Sequence, residues 1–501
     1  MRGIPSLITD IRKKVFTEVA RMAYSGKGYA QADELPYIIV PGDRPLHRES
    51  VFLERAIASE RVRLAMGLNM RPIQSRHLMT EGMDHAAIAE QYYEPPLINI
   101  IPYACHGCPT NQYRVTENCQ NCLAASCQRV CPKGAVSFVN GKSQIDQEKC
   151  IKCGKCASAC PYNAIIHMQR PCAAACGMDA IGSDEYGRAV INQDKCVSCG
   201  QCLVSCPFGA IADKGQIYQL IQSILQGDQV IAIVAPAFIG QFGKHSTPEK
   251  FVSAMKILGF DRVVEVAVGA DMCTIEEAKD FLEKVPAQQS FMATSCCPAW
   301  HSMVHKLFPA QSGNISMTLT PMVFTARLMK KQHPGCKVVF VGPCAAKKLE
   351  AIRADIRSDV DFVLTFEELQ GMFEAKEVDF ATIEPAETLD EGTAAGRGFA
   401  VSGGVAKAVT DLIHQTNPDV EIKTARAEGL RECRKLMTLA KAGKYNGYLL
   451  EGMACPGGCV AGAGTILSVD QASKVVARYQ SEANQESPLD SPYRDVGHKL
   501  D

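Results

Sequence analysis

No excess of one charge sign marks this 501-residue sequence, in which 53 Lys and Arg stand against 54 Asp and Glu. A basic footprint for nucleic acid is therefore missing. No apolar stretch is long enough to cross a bilayer. The longest, QVIAIVAPAFIG at Gln229–Gly240, has about half of the ~20 residues a spanning helix needs. The opening MRGIPSLITDIRKKVF mixes charges among its apolar positions and so does not read as a secretory signal. No nucleotide fingerprint is found either: GGCVAGAG at 457–464 is not G-x-G-x-x-G and follows no dinucleotide pattern. These absences predict a soluble cytoplasmic protein with no nucleic-acid, membrane or nicotinamide site. The composition, 47% hydrophobic and 21% charged, is that of a globular chain, and its length suits roughly three domains.

What is abundant is cysteine, with 24 residues. Sixteen lie between Cys105 and Cys206 and eight between Cys273 and Cys459. Runs of CxxCxxC make poor disulfide frameworks and good metal cages. Three segments repeat: CQNCLAASCQRVCPKGAV (119–136), CIKCGKCASACPYNAI (150–165) and CVSCGQCLVSCPFGAI (196–211), with a degenerate copy PCAAACGMDAI at 171–181. In the bacterial C-x2-C-x2-C-x3-C-P pattern, three thiolates hold one 4Fe–4S cubane and the fourth reaches the other cluster. That rule assigns Cys119, Cys122, Cys127 and Cys160 to one cubane and Cys150, Cys153, Cys156 and Cys131 to a second. The wider spacing from Cys122 to Cys127 is expected to be absorbed by a one-residue bulge. Cys196, Cys199 and Cys202 take Cys176 to complete a third. Cys172 and Cys206 then lack two partners, which the CHGC pair Cys105 and Cys108 would supply. That pair reads equally as free thiols or a zinc half-site, so the count is three or four clusters. His106, within the pair, is expected beside a cluster or facing solvent rather than ligating.

Texture divides the chain further. Residues 1–100 contain no cysteine and carry apolar residues at helical spacing over Ser6–Tyr24 and Arg48–Ala65, which predicts a helical extension serving as a cap or partner surface. Residues 101–215 form an α+β ferredoxin-like poly-cubane domain. Residues 216–470 alternate β-like runs such as VIAIVAPAF and KVVFVGP with helical ones such as TPEKFVSAMKILG and TIEEAKDFLEKV, an α/β pattern with largely parallel sheets. Residues 471–501 read as a helix and a loose polar tail.

Three cysteine motifs in the 216–470 region are far apart: TSCCPAW (Thr294–Trp300), PCAAKKLE (Pro343–Glu350) and EGMACPGGCVAGAG (Glu451–Gly464). Their ligands can converge only through folding, between two lobes. With these motifs, in this order and downstream of a ferredoxin-like region, the sequence resembles the FeFe-hydrogenases over roughly residues 100–470, as a monomeric ferredoxin-bearing form of a less common subgroup. The resemblance implies an H-cluster, a 4Fe–4S cubane joined to a diiron subsite carrying carbonyl, cyanide and a bridging dithiolate. It implies Cys297, Cys344, Cys455 and Cys459 as cubane ligands, Cys459 bridging to the diiron subsite. It gives Cys296, Glu277, Asp280 and Ser316 a proton route, Lys347 a contact to cyanide, and Pro236 and Met453 places around the diiron subsite. The implied reaction is reversible reduction of protons to H2. Electrons would come from a ferredoxin or flavodoxin, and maturation proteins would build the subsite.

These residue types suit the chemistry independently. Heterolytic cleavage of hydrogen needs an electrophilic metal, a nearby base and an exit for each product. A thiol next to a ligand is fixed in position and can relay protons. Glu277 and Asp280, three apart on a helix, can face one channel, and a lysine offers three donors to an anion. Read alone, TIEEAKD is a solvated helix face and Ser316 an N-cap. Cys273, Cys336 and Cys433 read as inert buried thiols, and His301 with His305 as a helix face. The family often has Met at Gly342, Gly at Ala299 and a third Gly at Ala463. The missing Met side chain is expected to loosen packing around the diiron subsite. Two other readings keep the cubanes without turnover: an iron–sulfur assembly protein without the diiron subsite, or a hydrogen sensor. The sensor would want a signalling domain beyond residue 470.

Overall fold

Two parallel sheets carry the C-terminal half. In the computed structural model, which describes residues 3–86, 93–385 and 389–500, the first sheet has the strand order Arg262–Glu265, Val230–Val234, Lys337–Gly342, Phe362–Thr365. The second has Met292–Ala293, Tyr448–Met453, Lys423–Glu428. The predicted runs form these strands because they are apolar on both faces: every residue of Val230–Val234 is buried, as a parallel strand covered on both sides requires. The predicted helices occupy Pro248–Leu258 and Ala267–Lys284. Parallel strands send all their C-terminal loops to one end, where ligands of α/β sheets bind. Those loops carry the motif cysteines.

The poly-cubane region is built differently. Short helices, such as Ser126–Arg129, Lys155–Ser158 and Gln201–Ser205, follow the cysteine turns. Four two-stranded antiparallel ladders frame them. Each full repeat uses left-handed backbone at matching positions: Asn121 and Ala125, Lys152 and Gly154, Ser198 and Gly200. The first repeat departs from the expectation. Two residues, not one, are inserted before Cys127, and they loop outward with Leu123 99% exposed. The left-handed geometry resumes at Ala125, so the turn around the thiols is kept.

The N-terminal helices span Leu7–Tyr24 and Val51–Ala65. The first, capped by Ser6, enters the core with Val15, Phe16 and Val19. It crosses the helix Phe366–Ala375 at Gly371, where a Cβ would stand 2.5 Å from that of Phe16. A buried ion cluster joins the cubane region to the α/β half. Lys348 Nζ lies 2.8 Å from Asp213, 3.0 Å from Glu368 and 2.7 Å from the Lys214 carbonyl. The C-terminal segment is not loose: after the helix Val469–Ser481 it docks back, with Leu500 buried and its carbonyl accepting from Arg327. Among the described residues no helix is long and apolar enough to cross a membrane.

Candidate active site and iron–sulfur centres

Each motif is aimed by a local steric constraint. Cys297 caps the helix Pro298–Leu307, and Pro298 suits the first turn because its missing N–H would be unpaired there anyway. Trp300 in that turn is fully buried and donates its Nε1–H to the Thr294 carbonyl at 3.0 Å. Its ring lies over Gly452, where a Cβ would stand 2.2 Å away, so the Cys296–Cys297 turn is set against the strand leading to Cys455. Likewise a Cβ on Gly462 would stand 2.2 Å from the Pro343 carbonyl, so the Cys455–Gly464 loop lies directly against the Cys344 backbone.

These constraints bring all three motifs to one cavity. Cys297, Cys344, Cys455 and Cys459 line it together with Cys296, Lys347, Pro236 and Met453, and its walls are mainly apolar (Val266, Met322, Phe340, Phe399). Burial pushes the Cys344 and Cys459 thiols up to about 12. Four thiolates are tolerable in such a place only against a cationic partner, and iron is a soft match for sulfur. The four-thiol donor set fits a 4Fe–4S cubane.

Behind Cys296 the polar groups form a sequence. Burial, then the Glu277 and Glu451 carboxylates, hold the Cys296 thiol protonated. Glu277 is fully buried; its Oε1 accepts a long 3.4 Å bond from the Ser295 N–H and its Oε2 has no hydrogen-bond partner. Burial raises its carboxyl to about 7, while the Ser295 N–H and the nearby Ser316 hydroxyl pull it down. Ser316 is not an N-cap: its Oγ accepts from the Thr318 N–H within a loop. Asp280, one helical turn beyond Glu277, is half-buried and paired with Lys284 at 2.7 Å. Lys347 is tethered by groups that sequence reasoning missed. Its Nζ lies 2.6 Å from Glu350 and 3.3 Å from the Thr320 hydroxyl, which itself donates to Glu350 at 2.5 Å. Burial lowers the Lys347 pKa, but Glu350 outweighs it and holds the ammonium charged. Glu350 stands in the quoted PCAAKKLE, one turn after Lys347; that spacing was the available signal.

Most of the upstream cysteines lie in close groups. Cys131, Cys150, Cys153 and Cys156 line one pocket. Cys119 and Cys127 meet at Ser143, whose N–H and hydroxyl approach the two sulfurs at 3.4 and 3.6 Å, and Cys160 packs into the same small core as Cys127. Cys176, Cys196, Cys199 and Cys202 are close enough for their charges to interact. Cys105 and Cys108 of the CHGC pair line one pocket together with Cys172 and Cys206. His106 is exposed and stacks on Phe208 with centroids 4.4 Å apart. Among the described residues no group of three or more His, Cys, Asp or Glu is spaced to hold a single metal ion.

A family model described as the iron-only hydrogenase large subunit, C-terminal domain, matches residues 228–463. A 4Fe–4S binding domain matches 143–166 and 189–212. This chain is an FeFe-hydrogenase-like iron–sulfur protein. Iron hydrogenase 1 of Clostridium pasteurianum is 29% identical over 74% of this chain and 73% of its own length. The periplasmic iron hydrogenase large subunit of Nitratidesulfovibrio vulgaris is 28% identical, over 44% of this chain and 62% of its own. A probable cytosolic Fe–S cluster assembly factor of Aedes aegypti is 29% identical, over 44% of this chain and 57% of its own. The chain thus spans less than two thirds of the latter two relatives. A solved apo FeFe-hydrogenase of Chlamydomonas reinhardtii superposes with a TM-score of 0.47 at 22% identity, covering 55% of this chain and 94% of that one.

One expectation about this FeFe-hydrogenase-like site is corrected. Gly342 does not leave loose packing: a Cβ there would stand 2.5 Å from the Phe340 ring, so that ring fills the space. The other departures are equally packed. Ala299 is 1% exposed, and the Ala463 Cβ lies where a Cβ on Gly200 would come within 2.4 Å. Cys273, Cys336 and Cys433 are buried away from the cavity lining. The His301 and His305 rings lie tilted against each other on their helix with centroids 4.3 Å apart, and burial with the neighbouring His305 lowers His301 to about 4.

Proposed function

We propose that the protein catalyses reversible formation of H2 from protons at an H-cluster. The observation that supports this most is the presence, in one cavity, of both the four-thiol nest and the proton-handling and cation groups Cys296 and Lys347. The H-cluster, held by Cys297, Cys344, Cys455 and Cys459, would supply the iron pair at which hydrogen is made or split. The chain's own groups do the rest. Cys296 carries a proton between the cavity and Glu277. Glu277, with its pKa near neutrality and one oxygen free, takes or returns it at little cost. Ser316 and Asp280 continue the route, Asp280 reaching the half-exposed surface beside Lys284. Lys347, fixed by Glu350 and Thr320, points its ammonium at the cavity and suits a cyanide ligand. The apolar walls keep bulk water out, which strengthens each of these interactions.

Electrons would pass through four cubanes. The outer thiol sets lie near the surface, with Cys153 exposed and Leu123 and Ile151 turned outward. They would receive electrons from a small ferredoxin or flavodoxin in the cytoplasm. A second reading, an iron–sulfur assembly role without turnover, draws support from the Aedes aegypti relative; such a protein has no need of Cys296, Glu277, Asp280 and Lys347 together. The test is an infrared spectrum of anaerobic protein co-expressed with diiron-site maturation proteins, beside a known hydrogenase matured in parallel. Carbonyl and cyanide bands with H2 turnover are expected. Bands in the control alone would give the assembly reading the stronger claim. In Cys296→Ala the bands should persist while turnover is almost lost, and full turnover there would remove Cys296 from the proton route.

A further inference from the structure

The turn that holds the third thiol set also touches the active-site nest. Gly200 and Gln201 lie between Cys199 and Cys202, and the backbone turns left-handed at Gly200. A Cβ at Gly200 would stand 2.4 Å from that of Ala463 and 3.3 Å from that of Ala345. Both alanines sit in the loops that carry Cys459 and Cys344, so the turn of the third set lies directly against the nest loops, with only the two alanine methyl groups facing Gly200. From this contact the Gln201 side chain crosses over, and its Nε2–H donates to the Cys455 sulfur at 3.0 Å.

We infer that Gln201 sets the reduction potential of the cubane held by Cys297, Cys344, Cys455 and Cys459, and links it to the cubane of Cys176, Cys196, Cys199 and Cys202. The inference rests on the functional reading only in that Cys455 holds a cubane, and it needs neither a diiron subsite nor turnover. The physical reason is electrostatic. Reduction adds a negative charge shared over the cluster and its sulfurs, and an N–H aimed at a sulfur stabilises that charge more than the oxidised state. Hydrogen bonds to sulfur are among the levers that set cluster potentials. Gln201 therefore makes the nest cubane easier to reduce and draws electrons inward from the third set. Its covalent neighbour Cys202 holds that donor cubane, so one side chain and one hydrogen bond join the two sulfur shells.

The test uses full-length protein with its cubanes reconstituted and no diiron subsite, so that hydrogenase activity is not the readout. Cubane potentials are measured by anaerobic redox titration followed by electron paramagnetic resonance. The nest cubane is identified as the signal missing from a Cys344→Ala variant. Gln201→Leu should lower its potential so that, at fixed applied potential, the reduced-to-oxidised ratio falls about tenfold (about 59 mV for one electron). The other cubanes should stay in place. Gln201→Glu keeps the size but replaces the donor with an acceptor, and should lower the potential at least as far; this holds the test open if the leucine variant folds poorly. An unmoved nest signal in a glutamate variant with full iron content would overturn the inference. A shift confined to the Cys176–Cys202 cubane would overturn it equally. Loss of turnover in matured protein without any change in potential would leave the functional reading intact and this inference refuted.

Discussion

Replacing Glu277 by glutamine separates a working carboxyl from a structural one. Glu277 is fully buried, and its Oε2 has no hydrogen-bond partner. Burial raises its pKa from 4.5 to about 7. A shift of that size corresponds to about 3 kcal/mol as an upper bound. The sign follows from linkage. Below pH 4.5 the carboxyl is neutral in both the folded and unfolded chain, and it costs nothing. Between 4.5 and 7 the unfolded chain ionises while the folded one does not, so folded stability falls as pH rises. Above 7 both are ionised and the full penalty applies. Glutamine keeps the shape, can still accept from the Ser295 N–H and never ionises. Glu277→Gln should therefore leave stability near the wild-type value at pH 5 and raise it at pH 8, on the order of a few degrees in melting temperature for a chain of this length. Asp271, also raised by burial to about 7, contributes its own slope, which cancels in the difference between wild type and variant. Melting of the anaerobic iron-loaded protein at pH 5, 6.5 and 8 reads this. In matured protein the same substitution should remove most H2 turnover. Lower stability at both pH extremes, with turnover retained, would refute the reasoning, because it would make Glu277 a packing residue.

Two further outcomes follow from the geometry. Cys105→Ser with Cys108→Ser should lower iron by about four atoms per chain, since those thiols complete a set of four with Cys172 and Cys206; unchanged iron on metal analysis would remove the fourth cubane. Lys348→Met leaves Asp213 and Glu368 buried without their shared cation, a loss of about 3–5 kcal/mol for a broken buried pair, with Arg12 at 3.9 Å offering Asp213 partial relief. Denaturant unfolding should show it, and wild-type stability would mean that water or rearrangement satisfies both carboxylates.

Cysteine spacing made the cubane region legible because cluster ligation is largely local. Three ligands of each full repeat lie within one turn, and the turn's left-handed residues recur at fixed offsets from them. The central strands of the first parallel sheet were readable for the same reason: Val230–Val234 and Lys337–Gly342 are covered on both faces and apolar almost throughout, and that is a property of consecutive residues. The three active-site motifs were visible as motifs, but their meeting was not. Only tertiary packing, Trp300 over Gly452 and Gly462 against Pro343, puts thiols from three separate segments, Cys297, Cys344 and Cys455 with Cys459, around one cavity. The tether of Lys347 by Thr320, the Phe340 ring in the space beside Gly342 and the hydrogen bond from Gln201 to Cys455 likewise join distant segments or depend on which way a side chain turns. The sequence by itself determined which groups the protein possesses and how they sit within each turn, strand and helix. Which of them act on one another was decided by the close packing of surfaces that are remote along the chain, and no local pattern encodes that packing.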